Sequence, residues 1–104
     1  MIKVTVLYPN QPGKKFDLDY YLNKHIPMAQ QRLKPYGLVR GEIEKGISAA
    51  DPKVPAPFLV LAHLYFNTVE GVHEGFKTHG RELLGDVKNY TDIQPQFQIS
   101  EMLG

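Results

Sequence analysis

Phe58-Leu59-Val60-Leu61-Ala62-His63-Leu64-Tyr65-Phe66 is the stretch that decides the fold. It is rich in large apolar and aromatic residues, follows Pro55-Ala56-Pro57 and gives way to Asn67-Thr68, so it predicts a strand. Successive side chains of a strand point to opposite faces. Phe58, Val60, Ala62, Leu64 and Phe66 therefore share one face, and Leu59, Leu61, His63 and Tyr65 share the other. Only His63 breaks the apolar character of either face, which marks a central strand covered on both sides.

Working outward, Ile2 to Tyr8 predicts another strand, with Ile2, Val4, Val6 and Tyr8 on one face and Lys3, Thr5 and Leu7 on the other. Pro9-Asn10-Gln11-Pro12-Gly13 stops it. A helix is expected from Asp17, its N-cap, to about Leu33, with Leu18, Leu22, Ala29 and Leu33 as its apolar stripe. Pro27 lies inside that pattern and should kink or split the helix near His25. Gly37 to Ile47 predicts a second strand through Val39, Ile43 and Ile47, and Ser48 to Pro57 a loop. Thr68 caps a second helix carrying Val69, Val72, Phe76 and Leu83. Gly71, Gly75 and Gly80 weaken that helix, so a break is expected at His79-Gly80, with Gly85 as its terminating C′ residue. Ile93 to Met102 alternates and predicts the last strand.

The order is βαββαβ, which specifies an α+β, ferredoxin-like sandwich: a four-stranded antiparallel sheet with two helices on one face, in one domain over residues 1–104. Two helices cover one face of such a sheet. The apolar side chains left on the other, Leu7, Leu59, Leu61 and Tyr65, predict a homodimer.

The composition narrows the function classes. Twelve Lys and Arg against eleven Asp and Glu leave a net charge of +1, which offers no general attraction to nucleic acid or an anionic membrane. The absence of cysteine excludes disulfides and thiol nucleophiles and fits a cytoplasmic protein. The longest apolar run, Phe58 to Ala62, is too short for a membrane span, and the N-terminus has no signal-peptide pattern. The histidines at 25, 63, 73 and 79 are scattered without metal-site spacing, so no metal is expected. No glycine-rich loop follows a strand, and serine occurs only at 48 and 100, which argues against nucleotide binding and serine hydrolysis.

His25 is the residue that points to chemistry. On the helical wheel it lies between Leu18, Leu22 and Ala29, one turn after Tyr21, so both rings should face the sheet. A histidine there serves as a general base or proton shuttle, or as a core residue bonded to a neighbour. Tyr8, Tyr21, His79, Tyr90 and Asp92 are the candidate substrate contacts around it. His79 is placed at the helix break, and Asp92 in the polar turn Asp86 to Asp92 before the last strand. His63 should face the partner sheet, and His73 the solvent edge.

Phe16-Asp17-Leu18-Asp19-Tyr20-Tyr21-Leu22-Asn23-Lys24-His25-Ile26-Pro27-Met28 resembles the first-helix motif of the EthD family: Phe-Asp, an aromatic pair, a histidine four residues on, then proline. Val6-Leu7-Tyr8-Pro9 and the tail Gly85 to Pro95 are similar to that family too, so the likeness covers nearly the whole chain. The resemblance implies a dimeric α+β barrel, two sheets face to face with the helices outside, and ligands between helices and sheet. It implies a small hydrophobic organic ligand in an oxidative degradation pathway such as that of ethyl tert-butyl ether, and no cofactor. His25 would act as the acid–base residue of a cofactor-free oxygenase, isomerase or dehydratase. The alternative is a non-catalytic carrier or auxiliary of an oxygenase system. A third reading makes His25 or His79 a haem or metal ligand.

Overall fold

The computed structural model describes residues 1–104. Strands β1 (Ile2–Pro9), β2 (Leu38–Lys45), β3 (Phe58–Phe66) and β4 (Gln96–Glu101) form one antiparallel sheet in the order β2-β3-β1-β4. The helices lie on one face: α1 (Leu18–Tyr20), a π-helical segment Tyr21–His25, α2 (Ile26–Leu33), and α3 (Val69–Gly85). This is the ferredoxin-like sandwich expected from the alternation of periods. β1 pairs with β3 from Ile2 opposite Phe66 to Leu7 opposite Leu61, which puts Val4, Val6, Tyr8, Val60, Ala62, Leu64 and Phe66 together beneath the helices. No helix is long and apolar enough to cross a membrane.

Pro27 shapes the first helical stretch. It cannot donate a backbone hydrogen bond, a defect that is harmless only in the first turn of a helix. The chain meets this by widening the preceding turn. The Ile26 N–H reaches back five residues to the Tyr21 carbonyl, and Pro27 then sits in the first turn of α2. The extra residue in this turn shifts the apolar phase. Tyr21, His25, Ala29 and Leu33 are the buried stripe, while Leu22, expected to be inward, is 46% exposed. Asp17 caps the stretch, its carboxylate accepting from the Tyr20 N–H.

α3 is continuous from Thr68, its N-cap, to Gly85, and the break expected at His79-Gly80 does not occur. Its glycines are sites of close approach. A Cβ on Gly71 would lie 2.1 Å from the Tyr36 carbonyl oxygen, and one on Gly75 would lie 3.0 Å from Leu33. Gly85 is helical rather than a left-handed C′ residue; positive φ occurs only at Gly13 and Gly37. These differences make a paired prediction. Gly71→Ala should lower stability by about 1–3 kcal/mol through overpacking. Gly85→Ala meets nothing within 4 Å and should leave thermal stability unchanged or raised. Equal melting temperatures for the two variants would contradict the close contact between α3 and the Lys34–Tyr36 turn.

On the other face of the sheet, Leu7, Leu59 and Leu61 form a partly exposed apolar strip. Tyr65, expected among them, is instead covered: Arg40 stacks 4.1 Å from its ring centroid and its hydroxyl donates to Glu42 at 2.8 Å. His63 lies on this face, 3.5 Å from Thr5 and 3.0 Å from Glu44. At β4, Phe97 and Ile99 pair with Val6 and Val4 but stay about half-exposed, because the helices do not reach the sheet edge.

Candidate functional site

The π-turn aims His25 at the end of α3. There Asp86, the helix C-cap, accepts from the His25 ring through Nδ1 at 2.9 Å. Its other oxygen accepts from the Tyr20 hydroxyl at 2.7 Å and the Asn89 amide at 2.8 Å. A carboxylate at a helix C-terminus faces the negative end of the helix dipole, an unfavourable place for it. Burial adds to the penalty by pushing its pKa up, but the hydrogen bonds from Asn89, Tyr20 and His25 together outweigh burial and hold it below the usual carboxylate value. Asp86 is therefore an anion kept in place by three donors.

Its pKa sets a pH dependence. Because the folded value is lowered, the stabilisation from Asp86 is present above the ordinary carboxylate pKa of 3.8 and is lost as pH falls through the folded value. The melting-temperature gap between the wild type and Asp86→Asn should be full near neutral pH and shrink below about pH 4. A gap that is constant with pH would show that the anionic form carries no special stability.

A carboxylate on Nδ1 holds the imidazole as the Nδ1–H tautomer and leaves the Nε2 lone pair free. No buried side-chain nitrogen or oxygen in the molecule lacks a hydrogen-bond partner, so Nε2 is not sealed into the core without one. The ring stacks on Tyr21, centroids 5.6 Å apart, and meets Tyr90 at 4.7 Å. The Tyr8 and Tyr90 hydroxyls share a 2.5 Å hydrogen bond. Burial is the main cause that raises the Tyr8, Tyr21 and Tyr90 phenols well above their usual pKa, so all three stay protonated, with one proton of the Tyr8–Tyr90 pair held in the bond between them. Tyr90 is positioned by its flanks: its carbonyl accepts from the Asp17 N–H at 2.7 Å, and Thr91 donates to the Lys15 carbonyl at 2.6 Å.

These side chains border a cavity of ≈ 40 Å³ between helices and sheet. Fourteen of its fifteen lining residues are hydrophobic or aromatic, and the fifteenth is His25. The arrangement is one base in an apolar wall, oriented by an acid and flanked by phenols. That is what proton transfer to or from a bound organic molecule requires.

Of the residues singled out from the sequence, Tyr8, Tyr21, His25 and Tyr90 come together here. His79 and Asp92 do not. With α3 unbroken, His79 packs edge-on against Tyr36 at 5.8 Å and lies 3.9 Å from Glu82, outside this cavity. Asp92 is exposed and borders an open groove with Lys88 and Gln94. The acid that orients His25 is Asp86, six residues earlier in the same polar turn. Tyr20, a polar neighbour of His25 in the sequence, meets it through Asp86, and Asp86 and Asn89 are site residues that the sequence reading does not single out. The signal for Asp86 was its place at the end of the predicted helix, where a carboxylate needs an outside partner. No three His, Asp or Glu side chains converge as a metal site requires.

Among solved structures, the chain is similar to an EthD-like protein from Ralstonia eutropha JMP134, with 37% identity over 99% of this chain and 92% of that one and a TM-score of 0.93. An EthD family protein from Bacillus halodurans C-125 matches over 99% of both chains at 17% identity and a TM-score of 0.68. A dimeric ferredoxin-like protein from an uncultured marine organism shares 14% identity over 100% of this chain and 96% of that one, TM-score 0.63. These last two likenesses show the fold alone. No family model and no curated protein matches the chain.

Proposed function

The chain belongs to the EthD-like family, and from that premise we propose that it is a small cytoplasmic homodimer that performs acid–base chemistry on a small hydrophobic organic compound during oxidative degradation, using side chains alone. The observation that carries this reading is the His25–Asp86 pair at 2.9 Å, set in an otherwise apolar cavity wall.

In this reading Nε2 of His25 removes a proton from carbon next to a carbonyl. The C–H electron pair moves into the carbonyl, and the resulting oxyanion accepts a hydrogen bond from a buried phenol, Tyr90 or Tyr8. Asp86 stabilises the imidazolium formed. Return of the proton to another carbon completes an isomerisation, loss of a leaving group completes an elimination, and capture of the carbanion by dioxygen begins an oxygenation.

The test is deuterium exchange at the α-carbons of 2-butanone in D2O, followed by NMR. Acceleration over buffer supports the reading. Exchange at the buffer rate, with binding retained, would overturn it in favour of a non-catalytic carrier.

A further inference from the structure

The cavity beside His25, at ≈ 40 Å³, has room for a few atoms. Small-molecule sites span roughly 300–1,000 Å³, so a whole substrate does not fit there. A second space of ≈ 270 Å³ lies immediately outside, between α3 and β4, lined by Val4, Val72, Phe76, Leu84, Phe97 and Ile99, with His73 at its lip. Phe76, Leu84 and Phe97 line both spaces, so the two adjoin across these side chains. Together the two volumes reach the lower end of the range for small-molecule sites.

The chemistry of the outer cleft selects its occupant. Leu84, Phe97 and Ile99 are between 44% and 52% exposed, an apolar cluster open to water. Only His73 among the lining residues is not hydrophobic. The neighbouring groove on the other side of Leu84 and Phe97 carries Lys88, Asp92 and Gln94 and would suit a charged body. The cleft suits an uncharged one.

We infer that the substrate is an elongated, uncharged molecule with one small carbonyl end on an apolar body: the carbonyl end passes Phe76, Leu84 and Phe97 to reach His25, and the body stays in the α3–β4 cleft. This rests on the acid–base reading above and adds the substrate class and the residues that measure it. Specificity then follows the length and bulk of the apolar body.

The test is NMR titration of the full chain with 2-butanone, 2-hexanone and 2-octanone, with α-deuterium exchange recorded for each. Every methylene buried in the cleft should tighten Kd about fourfold, giving on the order of a 10²-fold gain from 2-butanone to 2-octanone. Ile99→Glu alters an exposed edge position of the cleft away from His25. It should remove most of the gain from 2-butanone to 2-octanone. A flat series for the wild type, as expected if a second copy of the chain covers the cleft, would overturn the inference. So would an unchanged slope in Ile99→Glu. Tightening along the series without deuterium exchange would keep the cleft and retire the acid–base reading; exchange without tightening would do the reverse.

Discussion

His25→Ala is expected to lower catalysed α-proton exchange by roughly 10²–10⁴-fold, the usual contribution of a positioned general base. No other basic side chain lines the cavity, so nothing replaces it. The ring is also structural: it is 8% exposed and donates to Asp86. Its removal should therefore cost roughly 1–3 kcal/mol of stability as well. His25→Gln separates the two roles, because a glutamine amide can still donate to Asp86 but cannot take up a proton at neutral pH. It should recover much of the stability and none of the exchange. Asp86→Asn supplies the converse. An amide donating to Nδ1 forces the proton onto Nε2 and removes the base without removing the imidazole, with a loss on the order of 10²-fold or more. Full exchange in His25→Gln would show that the histidine is a core residue and no more.

The strands and their order were legible because β periodicity is local: Val4, Val6 and Tyr8, or Val60, Ala62 and Leu64, sort onto a face by counting in twos. The site was legible in its aromatic half for the same reason, since Tyr8, Tyr21 and Tyr90 belong to segments whose inward faces could be read. What escaped depended on the fit between elements. A wheel of 3.6 residues per turn places Leu22 inward, but the wide turn before Pro27 rotates it into solvent, and this turn sets the angle of His25 toward α3. Glycines at 71 and 75 resemble helix breakers when read alone. Opposite Tyr36 and Leu33 they let α3 lie close to its neighbour and run unbroken. The unbroken helix then carries its end past His79 and delivers Asp86 to His25. The misjudged break misplaced His79; Asp86 escaped for a different reason, because only the meeting of the α3 end with the π-turn brings it to His25.

Leu61→Glu is expected to convert a dimer into a folded monomer. The chain is a thin slab, 41 × 34 × 19 Å. It exposes 6655 Å², where a compact monomer of its mass would expose about 5,900 Å². The excess is comparable to the roughly 800 Å² that each partner buries in a standard interface. The open sheet face is where a second copy would cover apolar surface. The Leu7, Leu59 and Leu61 strip runs down its middle, and the groups around it, His63 with Thr5 and Glu44 and Tyr65 with Glu42 and Arg40, already satisfy one another and can be covered without losing partners. A glutamate at 61 would bury an unpaired charge against the second copy, directly opposite Glu44 in the register. Sedimentation at micromolar concentration should give the dimer for the wild type and the monomer for the variant, with circular dichroism unchanged. Leu61→Ala should weaken the dimer less. A wild-type monomer, or a Leu61→Glu dimer, would refute the interface. Ala62 and Leu64 alternate with Leu61 and line the His25 cavity on the opposite face of the sheet, so the substitution leaves that lining unaltered. The dissociated variant should therefore keep its exchange activity per chain, so that loss of the dimer and loss of the base are read as separate events.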